Sequence, residues 1–244
     1  MKAVLYICHG SRVKKGCQEA LDFIERCKPL TDVKIQEACF LELAEPTIEQ
    51  GFSRCVERGA TEIIVFPFLL LEAGHAKKDI PAALSKVSAK FPKVRTVYKK
   101  PVGVHEKMID ILIERMTEKG VPVSREASVL IVGRGSSDPQ TAADFQRIRQ
   151  LFRSKTKLND VNICFLAAAT PAFSAELQRL SEKETKQIWV LPYLLFTGIL
   201  MKKMEKDIQE LSASTPVFLC SYLGYHPHLC HVIAERIAEE VTQK

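Results

Sequence analysis

The chain has 244 residues, 46% of them hydrophobic, and 35 Lys and Arg against 29 Asp and Glu for a net charge of +6. That apolar share supports a real core, and the length allows one large domain or two of ordinary size. The weak positive excess comes without a basic run interleaved with aromatics, which argues against a nucleic-acid partner, and no stretch has the pattern of a signal peptide or the roughly 20 apolar residues of a membrane span.

Residues 3–8 predict a buried first strand that stops at His9-Gly10. Cys17, Leu21, Ile24 and Cys27 recur at helical spacing and predict a helix over about 14–27, with Pro29 as its stop signal. Residues 33–41 read as the second strand. Pro46 is expected at the first helical position of the next helix, which ends near Gly59. The β-branched and aromatic run 63–66 predicts a buried third strand ending at Pro67. A loop to His75, a helix over about 77–90, a strand over 94–98 and a closing helix over 104–118 complete the first half. Strands alternating with helices imply a parallel sheet covered on both faces.

Gly120-Val121-Pro122 predicts a linker, and beyond it the order repeats. Val129-Leu130-Ile131-Val132-Gly133-Arg134-Gly135-Ser136-Ser137 echoes the phrase around His9, with arginine in the histidine's place. His9 and Arg134, Phe40 and Phe165, Pro46 and Pro171, and Pro67 and Pro192 all stand 125 residues apart; His105 and His226 stand 121 apart. Register held across such residues argues for duplication. The expected fold class is α/β: two similar doubly wound domains, each on a four-stranded parallel sheet. Residues 1–120 would carry the site, and 125–244 would help to form a substrate cleft with them. The eight cysteines form no CxxC pair, so they are expected as reduced thiols of a cytoplasmic protein.

The two halves differ in their polar groups. His9 becomes Arg134, Glu42 becomes Ala167, and the segment around His75 becomes Gly198-Ile199-Leu200-Met201. Each ligand alone has a bland reading: a histidine after a strand is usually a hydrogen-bonded turn residue, and Glu42 could be a solvated strand end. Glu45 and Glu72 are competing carboxylates nearby. Together, all three near strand ends and all missing from the repeat, His9, Glu42 and His75 predict a site for a divalent first-row metal with open positions. Ser11, Arg12, Arg134, Ser136 and Ser137 are candidates to hold substrate carboxylates, helped by N–H groups at the following helix starts.

Other motifs carry less. Gly133-Arg134-Gly135-Ser136-Ser137-Asp138 departs from GxGxxG at its third glycine, and Cys8 replaces the leading glycine in the first half, so both read as tight turns. No GxxxxGK[ST] is present, which removes the visible basis for ATP-driven chemistry. His226-Pro227-His228-Leu229-Cys230-His231 suggests a metal cluster, but His226 matches His105 just before a helix, which predicts a capping role.

His9-Gly10-Ser11-Arg12, Phe40-Leu41-Glu42, Phe66-Pro67-Phe68-Leu69-Leu70 and Gly74-His75 with Asp79-Ile80-Pro81 resemble the CbiX/SirB family of class II tetrapyrrole chelatases. The likeness covers nearly the whole chain. It implies insertion of a divalent metal into sirohydrochlorin, with His9 and His75 as active-site histidines and Glu42 as their acidic partner. The metal would be substrate, Fe²⁺ first and Co²⁺ or Ni²⁺ as alternatives, with no permanently bound cofactor. The partner would be the polycarboxylate macrocycle, with no nucleic acid and no membrane, on a monomer. The family's long, cobalt-inserting form carries a His-rich stretch and an Fe–S cysteine motif. The 244 residues have neither, so the resemblance points to the sirohydrochlorin ferrochelatase branch. A cobaltochelatase, a non-catalytic metal carrier and a nucleotide-dependent enzyme are the alternatives. Cys8 stands where the family often has a small residue, which leaves open whether its sulfur joins the metal's ligands.

Overall fold

Strand β1 (Lys2–Cys8) is buried from Ala3 onward and pairs in parallel with β2 (Ile35–Phe40) on one side and β3 (Glu62–Pro67) on the other. With β4 (Arg95–Tyr98) the sheet order is β2-β1-β3-β4. The second half repeats this as β6-β5-β7-β8, from β5 (Ala127–Gly133), β6 (Asp160–Phe165), β7 (Gln187–Pro192) and β8 (Val217–Leu219). Registers repeat with the sequence: Cys8 lies opposite Phe40, and Gly133 opposite Phe165. Both faces of each sheet are covered, so the central strands are apolar throughout rather than alternating. The structure, a computed structural model, describes residues 1–211 and 214–239; the last residues of the expected second domain lie outside these.

The helices are α1 (Lys14–Cys27), α2 (Ile48–Glu57), α3 (Ile80–Ser88), α4 (Glu106–Thr117), α5 (Pro139–Thr156), α6 (Phe173–Ser181), α7 (Ile199–Gln209) and α8 (Pro227–Ala238). Pro46 is not the first residue of α2 as expected. Thr47 caps that helix in a reciprocal box: its hydroxyl accepts from Gln50 N–H, and the Gln50 side chain accepts from Thr47 N–H.

The chain forms two compact units: Met1–Gly103 with the residues from Leu229 onward, and Val104–His228. Each unit thus takes the closing helix of the other half, a division that the 1–120 and 125–244 reading does not contain. Within the second unit, Arg115 of α4 donates to the carbonyls of Tyr222 and Leu223. Within the first, Arg236 of α8 donates to the Val102 carbonyl, and Cys230 is joined to Cys27 of α1 by a disulfide. That bond corrects the expectation of eight reduced thiols. The partners are 203 residues apart and meet only because α8 belongs with α1, a pairing that spacing cannot reveal. No helix among the described residues is long and apolar enough to cross a membrane.

Candidate metal centre

In an open parallel sheet, ligands collect beyond the carboxyl ends of strands whose connections leave in opposite directions. In the first unit this point lies between β1, which leads to β2 on one side, and β3, which leads to β4 on the other. His9 follows β1 directly, and His75 ends the loop after β3.

Glu42 is brought in by the backbone. Past the end of β2, Leu41 N–H donates to the Cys8 carbonyl at 2.8 Å and Glu42 N–H to the His9 carbonyl at 3.2 Å. The two chains run side by side there because Gly10 turns away at φ +95°, and Leu43 turns the other chain at φ +63°. The same turn recurs at Gly135 and Ala168 of the second unit, so it belongs to the duplicated scaffold. Only the side chains differ.

His9 Nε2 lies 3.1 Å from His75 Nε2 and 3.7 Å from Glu42 Oε1, with the rings edge to face at 87°. The remaining ring nitrogens fix the protons. His9 Nδ1 lies 3.0 Å from the Gly10 carbonyl, and His75 Nδ1 lies 2.8 Å from Asp79 Oδ2. A carbonyl only accepts, and an ionised carboxylate only accepts, so both Nδ1 atoms carry the hydrogen. Both Nε2 atoms then face one another at hydrogen-bond distance, an arrangement satisfied by a shared proton or by a metal ion between the two lone pairs. Two ligands each about 2.1 Å from one ion stand about 3.0 Å apart at a right angle and about 3.4 Å apart at a tetrahedral angle. The His9–His75 separation falls in that range, and the His9–Glu42 separation is a few tenths of an ångström beyond it. Both imidazoles are 38% exposed and Glu42 is 49% exposed, so the group is open to solvent.

Cys8 does not join this group. Its side chain is buried, and burial, with Cys17 nearby, pushes its thiol far above the ordinary range, so it stays protonated. It fills space instead. At the matched position of the second unit, a Cβ on Gly133 would stand 2.3 Å from the Phe145 ring; in the first unit the residue matched to Phe145 is Ala20. The small strand residue faces the large helix residue in one half, and the pair is exchanged in the other.

The other candidates divide by unit. Ser11 and Arg12 follow His9; the Ser11 hydroxyl accepts from Val13 N–H. Arg134, Ser136 and Ser137 occupy the matched loop of the second unit, where the Ser136 hydroxyl accepts from Asp138 N–H. Asp138, the mismatch in the glycine motif, caps α5 by accepting from Gln140 N–H. Neither Arg12 nor Arg134 forms an ion pair among the described residues, and both are exposed. Glu45 and Glu72 are outside the ligand group.

A second group of donors, Glu114, His226 and His228, is wired differently. His226 Nδ1 accepts from His228 N–H at 3.2 Å, as His105 Nδ1 accepts from Lys107 N–H at the start of α4. The proton of His226 is therefore on Nε2, which donates to Glu114 at 2.7 Å. That is a capping histidine paired with a carboxylate, and its lone pair is already committed. Asp79 enters the sequence analysis only within the family phrase and with no role of its own, although a carboxylate four residues after a histidine is the signal for one.

The CbiX family model matches residues 3–119 and again 128–240. A sirohydrochlorin ferrochelatase of Priestia megaterium is 49% identical over 245 residues, covering 100% of this chain and 92% of the relative. A sirohydrochlorin cobaltochelatase of the same organism is 36% identical, covering 98% and 80%. The solved structure of SirB from Bacillus subtilis with Fe3+ superposes with a TM-score of 0.90 at 44% identity, covering 97% of this chain and 94% of that one.

Proposed function

The chain belongs to the CbiX family, and from that premise we propose that it is a sirohydrochlorin ferrochelatase, inserting Fe²⁺ into sirohydrochlorin without ATP. The observation that carries this is the convergence of the His9 and His75 Nε2 lone pairs, with Glu42 beside them, on one point. Iron is favoured over cobalt because the full-length ferrochelatase relative is 49% identical and the cobaltochelatase 36%.

The ion exchanges water for His9, Glu42 and His75. The macrocycle's carboxylates are held by Ser11 and Arg12, which directly follow His9 in the same unit. Arg12 is exposed and forms no ion pair among the described residues, and the Ser11 hydroxyl, which accepts from Val13 N–H, still has its hydrogen to donate. Two ring N–H protons must leave as the ion enters. Both imidazoles are occupied at that moment, Nδ1 by its acceptor and Nε2 by the ion. The first proton goes to the second oxygen of the Glu42 carboxylate, which is free while the other holds the ion. The second goes to an imidazole Nε2 as it releases the ion. Metal and protons are exchanged between ring and protein, and the charges balance. A macrocycle bound bent, with its nitrogen lone pairs turned toward the ion, would resemble the transition state more than the flat ring does. All three metal ligands come from one unit of one chain, so a monomer suffices.

An anaerobic assay with sirohydrochlorin and Fe²⁺ or Co²⁺, followed by the change in macrocycle absorption, tests this. The reading requires insertion well above the uncatalysed rate and faster turnover with iron at equal concentration. Metal binding without acceleration would leave a carrier; preference for cobalt would favour the cobaltochelatase reading.

A further inference from the structure

The two halves are in register at an offset of 125 until the helix that follows the third strand of each unit. Ala76 and Met201, both buried, keep that offset. Ile80 and Met204, both fully buried, are 124 apart. Leu84 and Ile208, and Val87 and Leu211, which pack in the two cores, are also 124 apart. The first half therefore carries one extra residue between Ala76 and Ile80. Lys77 and Lys78 have counterparts in Lys202 and Lys203; Asp79 has none.

The backbone shows how the residue is accommodated. His75–Asp79 forms a π-helical turn in which Ile80 N–H donates to the His75 carbonyl, five residues back. Such a turn absorbs one residue without breaking the helix. It leaves the Ala76 carbonyl without a helical donor, because Ile80 N–H is used and Pro81 has no N–H. The Tyr98 hydroxyl donates to that carbonyl at 2.7 Å. In the second unit α7 has no π turn, and Tyr98 is matched by Leu219 in the strand register. The extra residue, the π turn and the hydroxyl that completes it occur together, in the half that bears the imidazoles.

We propose that Asp79 is a positioning residue for His75, placed against its Nδ1 by this one-residue insertion. The inference rests on the reading of His9, Glu42 and His75 as the ligands of the metal to be inserted. At 2.8 Å the carboxylate holds the Nδ1 proton, aims the Nε2 lone pair at the shared point and makes that nitrogen a better donor. Without the insertion the position four residues after His75 would hold a core residue, as Met204 stands four residues after Leu200 in α7.

The test is Co²⁺ affinity of the full chain, by calorimetry and chelator competition, alongside insertion kinetics. Asp79→Ala should weaken Co²⁺ binding about 10- to 100-fold, the range for removing such a partner. The metal concentration for half-maximal insertion should rise by the same factor, while the rate at saturating metal stays within about threefold. Asp79→Asn, whose amide oxygen still accepts from Nδ1, should recover part of the loss and serves if the alanine variant is unstable. His9→Ala is the control for the underlying reading: unchanged Co²⁺ affinity in that variant would overturn the ligand set itself. Loss of binding in His9→Ala, with Asp79→Ala and Asp79→Asn within threefold of the parent, would overturn the role of Asp79 alone.

Discussion

Gly10 and Glu42 touch through their backbones: a Cβ added to Gly10 would stand 1.8 Å from the Glu42 carbonyl oxygen. The proposed metal centre depends on this closeness, because it lets the chain past β2 lie against the end of β1. Gly135 stands in the same relation to Ala167, also at 1.8 Å, in the unit that has no ligands. Gly10→Ala and Gly135→Ala should therefore both destabilise, by more than about 1 kcal/mol each, from a left-handed backbone and a backbone clash. Only Gly10→Ala should also abolish Co²⁺ binding. Equal metal affinities in the two variants, measured by titration below their unfolding temperatures, would break the link between this contact and the site.

Cys8 is next to His9 in sequence but is buried away from the proposed ligands' open face. Its buried, protonated thiol should resist iodoacetamide at pH 8 in the folded protein, and Cys8→Ala should bind Co²⁺ within about twofold of the parent. A tenfold loss of affinity, without loss of stability, would put sulfur among the ligands.

The bond between Cys27 and Cys230 closes nearly the whole chain within one unit. Cross-links of long loops typically contribute about 2–4 kcal/mol. Denaturant unfolding with and without reductant should show a loss of that order, matched by Cys230→Ser and not deepened in that variant by reductant. Identical midpoints in both conditions would mean the bond adds no stability.

Asp160 gives the acid side of the stability curve a defined contribution. Burial works to raise its carboxyl, but hydrogen bonds from Lys183, Ser128 and Asn162 outweigh this and hold it below the usual carboxylate range. A folded value below the unfolded one stabilises above the unfolded value, about 3.9, and the contribution is lost as pH falls through the folded value. Urea midpoints should thus place the parent above Asp160→Asn at pH 7, with the gap narrowing below about pH 4. A gap independent of pH would assign the difference to packing.

What could be read in advance follows a physical division. Strands such as β1 and β3 are continuous apolar runs, and their duplication is visible because buried positions tolerate few residue types. His9, Glu42 and His75 stand out because a scaffold made twice needs its polar ligands only once. The exchange of α4 and α8 between units is invisible, since both helices have the same apolar pattern whichever sheet they cover. The disulfide follows from that exchange and is hidden with it. Asp79 is visible within the family phrase, but its role is hidden for another reason: a single inserted residue shifts the repeat by one, and the later drift to 121 at His105 and His226 masks where the first step occurs.

Anomalous diffraction from a crystal loaded with Co²⁺ at one equivalent locates the ion itself. If His9, Glu42 and His75 hold it together, the strongest peak lies about 2.0–2.2 Å from both Nε2 atoms and a Glu42 oxygen. A strongest peak at Glu114, His226 and His228, or an ion bound by only one of the two imidazoles, would contradict that shared site.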